Sequence, residues 1–237
     1  MGVVIFNGKA SSDYGIEIET PPHYEIAERN IQSTSIPGRS GDLIIELDSY
    51  KNAPREYQIS IGERDGDFVS LAARISDWLY ASKGYCRLED TYEPDCFFIA
   101  SVVGGNTVAN IMGQAGRAIV RFTRKPQRFL KSGEIEVGFT KEGVLYNPSL
   151  HPAKPLIRVT GTGAGRVNIN DVSLDITDIG GVMLIDCDEK EAYADDNGKN
   201  DKIKSGHGFP TLTPGQNRIS FSGGVKNVII TPRWWTL

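Results

Sequence analysis

The sequence predicts a mainly β protein organised in two domains, from three observations. Apolar residues recur in short alternating or β-branched runs, separated by Gly, Asn, Asp and Pro at a roughly 8–15 residue cadence that suits antiparallel sheets. A single segment of the 237 residues carries the 3.6-residue apolar period of a helix. In the stretch Tyr146-Asn147-Pro148-Ser149-Leu150-His151-Pro152-Ala153-Lys154-Pro155, prolines at 148, 152 and 155 can sustain neither a helix nor a central strand. It is expected to be a linker, 147–155, between domains spanning 1–146 and 156–237.

In chain order, 3–6 is a short apolar run closed by Asn7-Gly8, a dipeptide that tolerates the positive φ of a tight hairpin turn. Residues 13–19 alternate and stop at Pro21-Pro22. Residues 31–36 lead into Pro37-Gly38-Arg39-Ser40-Gly41-Asp42, a glycine-flanked loop displaying Arg39, and 43–47 and 57–61 continue the strand pattern. The helix is expected over 67–82, where Phe68, Leu71, Ala72, Ile75, Trp78 and Leu79 form one stripe. Asp67 is its N-cap candidate and Gly84 its left-handed terminator. The unbroken stripe predicts core packing against a sheet.

Further strands are expected at 85–88, 96–103 and 116–122, the last two joined by a glycine- and asparagine-rich hairpin tip over 104–114. Residues 134–139 alternate before the linker. Beyond it, strands are expected at 156–159, 167–170, 172–176, 182–186, 218–221 and 228–230, forming an antiparallel sandwich or barrel. Asn197-Gly198 is expected to be a hairpin tip.

Composition excludes several function classes. With 26 Lys+Arg against 30 Asp+Glu, the formal charge of -4 gives no whole-chain attraction to nucleic acid. No apolar run approaches the roughly 20 residues of a spanning helix, and the opening residues lack a secretory pattern, so synthesis and folding in the cytosol are expected. Cys86, Cys96 and Cys187 are scattered and odd in number, indicating free thiols rather than a disulfide framework or zinc site.

Four stretches carry weak chemical signals. Gly161-Thr162-Gly163-Ala164-Gly165 is glycine-rich but opens no helix, so it is expected to be an inter-strand turn, not a phosphate cradle. The oxygen-rich 195–201 stretch fails EF-hand register, since Tyr193 and Lys204 fall where carboxylates are required. Asp186, Asp188, Glu189 and Glu191 offer carboxylates for a glycosidase, with nothing else in support. Arg121, Arg124, Lys125, Arg128 and Lys131, interleaved with Phe122 and Phe129, have the composition of a nucleic-acid surface or of a solvated, proline-broken loop. No catalytic residue, cofactor or metal is expected.

The order of these pieces resembles the distal tail protein (Dit) family of siphophages, the hub at the end of a long non-contractile tail. The residues that carry the resemblance are Phe6-Asn7-Gly8 with Ser12-Asp13-Tyr14-Gly15-Ile16, the Pro37-Gly38-Arg39-Ser40-Gly41-Asp42-Leu43 loop, and Trp78-Leu79 in the helix. To these add 116–122 leading to Lys125-Pro126, Asn147-Pro148 with Lys154-Pro155, the run 209–217, and Pro232-Arg233-Trp234-Trp235. The resemblance implies an N-terminal β-sandwich with one helix that forms a homo-hexameric ring, followed by a galectin-like C-terminal β-sandwich. It further implies a structural, non-enzymatic virion component that is assembled in the bacterial cytoplasm and joins the tail tube to the tail-associated lysin or fibre protein. Phage DNA would pass through such a ring. Expected subunit or partner contacts are Arg39, Asp42, Asn106, Arg124, Arg128, Trp234 and Trp235. The alternative is a carbohydrate-binding adhesion module that holds host cell-wall sugar on Trp234-Trp235.

Overall fold

The computed structural model describes residues 2–61, 68–102, 107–111, 115–195 and 197–237. Backbone proximity divides the chain into two units, 1–128 (with 237) and 129–236. The division differs from that expected, because residues 147–155 lie inside the second unit. Gly143–Asn147, not anticipated as a strand, pairs along Gly215–Thr231, and Ala153 bridges to Leu212. The buried Asn147 amide donates to the carbonyls of His151 and Leu212, at 3.0 and 2.9 Å. The prolines therefore shape a pinned crossover within one domain.

In the first unit, antiparallel strands follow the order Lys9–Ala10, Val4–Phe6, Cys86–Asp90, Cys96–Val102, Ala115–Leu130, Ala53–Ile61 and Ile16–Ile18. A bridge from Ile18 back to Gly2 curls the sheet upon itself. The expected Asn7-Gly8 hairpin is present, with Phe6 opposite Lys9 and φ of 49° and 76° at the two turn residues. Asp13 and Tyr14 belong to a 3-10 turn, Ser11–Tyr14, rather than to the strand, because Gly15 at φ 70° closes that turn first.

The helix runs Phe68–Tyr80, and Asp67 lies outside the described residues. Ile75, Trp78 and Leu79 are buried with Phe6, Tyr57, Phe98, Val120 and Phe122, so the stripe packs as core. The Trp78 indole N–H donates to the Lys9 carbonyl at 3.1 Å, tying helix to hairpin.

The second unit is built on two long strands, Leu156–Ile169 and Gly215–Thr231, which pair with each other over most of their length. Val137–Phe139 and Gly143–Asn147 flank opposite halves of Gly215–Thr231, while Gly181–Asp186 and Val172–Ile176 flank opposite halves of Leu156–Ile169. The bend between the halves is the glycine run 161–165. It is not the turn expected but a mid-strand irregularity, where the pairing register shifts on both sides of Gly161. A Cβ at Gly161 would stand 2.1 Å from the Gly224 carbonyl oxygen, and one at Gly224 would stand 1.9 Å from that of Thr162. Opposed glycines thus let two backbones approach where side chains would separate them. The folded-over halves enclose one core, including Ile157, Val159, Val167, Leu174, Met183, Ile185, Ile219, Val228 and Ile230.

Asn197-Gly198 is not the hairpin tip either. Both residues pair with Tyr193 and Ala194, and Asp195, at φ 46°, follows the first strand of that pair.

Candidate functional site

Strands Arg29–Thr34 and Leu43–Tyr50 form a two-stranded sheet of their own, hydrogen-bonded to no other strand among the described residues. The 37–43 loop is its tip. Pro37 and Gly38, the latter at φ 81°, make a turn closed by the Arg39 N–H donating to the Ile36 carbonyl at 3.2 Å. Arg39 is exposed there, and Asp42 accepts the Ser33 hydroxyl at 2.7 Å.

The register places Ile31 and Ile44 on one face of this hairpin and Leu43, Ile45 and Leu47 on the other. Consecutive apolar residues Leu43-Ile44-Ile45 are the pattern of a strand covered on both faces. Here neither face is covered, and Ile44 is 60% and Leu47 49% exposed. A lone hairpin is marginal in water, and each Leu or Ile fully buried contributes about 1.5–3 kcal/mol relative to full exposure. The arm therefore carries a reserve of uncovered apolar surface.

The segment entering the arm is held by buried charge. The Arg124 guanidinium donates to the Glu25 carbonyl at 2.7 Å and to that of Pro126 at 3.1 Å. Behind it, Arg55 reaches Asp90 at 2.6 Å and Glu93 at 2.8 Å, and Arg128 reaches Glu93 at 3.1 Å. Tyr57 donates to Asp90 at 2.7 Å, and burial pushes its phenol well above the ordinary value, keeping that proton in place. Burial, reinforced by repulsion from Arg55, lowers the Arg124 guanidinium.

Arg124 therefore does not belong to a contact surface as expected. It is 5% exposed because the strand continues through Pro126 to Leu130 and carries it inward. Arg121 pairs with Glu56 at 2.8 Å, and Lys125 lies over the Tyr85 ring. The basic stretch is largely occupied within the chain, contrary to a solvated loop. Asn106 and most of the hairpin tip around it lie outside the described residues. Thr107–Ile111, within that tip, pairs with the start of Ala115–Leu130.

In the second unit, Trp234 is buried at 5% and cannot form a surface platform with Trp235. Its carbonyl accepts from Leu130 N–H at 2.9 Å. Trp235 is partly exposed, stacks on His151 at 4.3 Å between ring centres, and donates its indole N–H to the Pro152 carbonyl at 3.0 Å. Asp186 is engaged as well. Arg233 forks onto both of its oxygens at 2.8 and 2.7 Å. Burial alone would raise this carboxyl, but Arg233 and the Glu189 and Asp188 N–H groups hold it below its ordinary value. A carboxylate clamped in its ionised form near neutral pH is a poor general acid.

A concavity of about 450 Å³ lies over the outer face of Gly215–Thr231, lined by Val144, Asn170, Asp171, Thr213, Gln216 and Arg218. Sequence reasoning missed it, because its polar residues come from separate strands and turns with no shared motif.

No family model matches the chain, and no curated protein matches it in sequence. Among solved structures, the chain is similar to one described as the crystal structure of SPP1 Dit (gp 19.1) protein, a paradigm of the hub adsorption apparatus in phages infecting Gram-positive hosts. At 15% identity the two superpose with a TM-score of 0.74 over 100% of both chains, so this chain has a Dit-like fold from end to end.

Proposed function

We propose that this chain is a structural subunit of a phage tail tip that assembles, through its first unit, into a hexameric ring joining the tail tube to the lysin- or fibre-bearing protein. The observation that carries the proposal is the 29–50 arm, apolar on both faces and covered on neither. A head-to-tail contact, in which the arm of one copy lies on the body of the next, covers both faces and closes into a ring at a fixed rotation. The end-to-end similarity to the SPP1 hub protein supports the same assembly. Arg39 and Asp42, at the arm's tip, are the contact residues retained in this proposal. The second unit, a galectin-like sandwich in this proposal, lies outside the ring. No step of the role calls for catalysis, and DNA passes as cargo.

Light scattering across concentration tests it. The expected mass approaches six times 26.0 kDa. Replacing Ile44 and Ile45 together by Asp should yield a folded monomer, and Arg39→Glu should weaken the ring without changing the melting temperature. A wild-type chain that stays monomeric at every concentration, both alone and with the tail tube protein, would sink the proposal.

A further inference from the structure

We infer that the cleft on the second unit is a binding site for a neutral, hydroxyl-rich saccharide, distinct from the Trp234-Trp235 pair and independent of ring formation. The inference begins with a buried side chain. Asn217 is fully buried, yet every polar atom of its amide is engaged. Its Oδ1 accepts from the Asn170 side-chain amide at 2.8 Å, from Thr213 N–H at 2.8 Å and from the Thr213 hydroxyl at 3.2 Å. Its Nδ2 donates to the carbonyls of Thr213 at 2.8 Å and Gly215 at 3.1 Å.

Asn170 completes the frame. Held at φ 51°, it accepts Arg218 N–H on its own Oδ1 at 2.9 Å, and its backbone N–H donates to the Arg218 carbonyl at 2.9 Å. From the other side, the buried Asn147 amide grips the Leu212 carbonyl. The 212–215 loop and the Asn170-Asp171 turn are thereby fixed relative to one strand by side-chain amides, and this is how a preorganised recognition surface is built.

On this frame stand groups with no internal use. Among the described residues, the Asp171 carboxylate, the Gln216 amide and the Arg218 guanidinium have no hydrogen-bond or ionic partner, and all three are exposed. A carboxylate only accepts, a guanidinium only donates and an amide does both. Their formal charges cancel, which disfavours a phosphate or an ammonium ligand and suits hydroxyls, each a donor and an acceptor at once. Strand alternation sets Val144 and Tyr146 on the same outer face, opposite Arg218 and Gln216, and Tyr146 is 64% exposed. An apolar, aromatic flank beside mixed donors and acceptors matches a sugar ring, whose C–H face is apolar and whose rim is hydroxylated.

The test uses the full chain on an array of neutral oligosaccharides built from hexoses and N-acetylhexosamines, printed beside their phosphorylated and carboxylated counterparts, followed by calorimetric titration of the strongest neutral binder. Binding to neutral glycans is expected. Asp171→Ala, Arg218→Ala and Tyr146→Ala should each weaken it at least tenfold, about 1.4 kcal/mol. Their melting temperature should stay at the wild-type value, because these side chains are exposed. Should one variant fail to fold, Gln216→Ala tests the same surface. Absence of any neutral binder, binding confined to the charged counterparts, or titrations unmoved by the substitutions would each overturn the inference. None of these outcomes bears on the ring, which light scattering decides separately.

Discussion

Arg233 sits at φ 60°, an uncommon backbone for a residue with a Cβ, and from there its guanidinium reaches both oxygens of Asp186. Arg233→Ala should therefore cost about 1.5–3 kcal/mol in urea denaturation, since it leaves a largely buried carboxylate without its cation. The pH dependence has a definite sign. The folded Asp186 carboxyl lies below its unfolded value of about 3.9, so its contribution is complete above that value and is lost as pH falls through the lower folded one. The stability gap between the wild type and Asp186→Asn should accordingly be widest near neutrality and shrink in acid. Gly224 poses a different constraint, since its added Cβ would meet the Thr162 carbonyl. Gly224→Ala should lower stability by about 1–3 kcal/mol or more. Gly138→Ala, whose Cβ would only touch Ile229 at 3.9 Å, serves as the near-neutral control in the same thermal melts.

At the scale of elements, the helix was legible because a 3.6-residue stripe has one plausible use, and Ile75, Trp78 and Leu79 are buried as the stripe requires. Trp78→Ala should cost about 3–5 kcal/mol, measured by denaturant titration, as it removes a buried ring and its bond to Lys9. The Asn7-Gly8 turn was legible for an equally local reason. Long strands were not. Leu156–Ile169 contains a glycine run that looks like punctuation, and only the glycines of the facing strand, far away in sequence, explain why the chain does not turn there. Ala115–Leu130 contains Pro126, and its pairing with Ala53–Ile61 stops short of that residue, at Arg124 opposite Ala53, so the missing N–H breaks no bond of that ladder. Burial of Arg124 was hidden for the same reason, since the strand runs on past its expected end at 122 and its alternation carries a basic side chain inward with Val120 and Phe122. Of the candidate surfaces, the arm's loop was visible in its glycines, whereas the cleft proposed for a saccharide depends on Asn217, an unremarkable residue until its five hydrogen bonds are seen together.

For the whole molecule, the two units carry separate hydrophobic cores, so the first can lend its arm to an assembly while the second keeps an outer sheet face free. An assembly held by Ile and Leu rather than by ion pairs should change little in mass between low and high salt, and light scattering over that range checks it; dissociation by salt would point to charged contacts instead. In the proposed ring, the arm would also give assembly a clock. Before a neighbour arrives, the 35–42 tip is an exposed chain of mostly small or polar residues joining two thinly protected strands, where proteases cut first. Once another copy lay over the arm, as proposed, that site would close. A protease pulse applied at intervals after mixing would then report, as the declining fraction of nicked chains, how quickly free subunits are consumed, and a subunit that misses its ring would be marked for removal by the very surface that should have joined it.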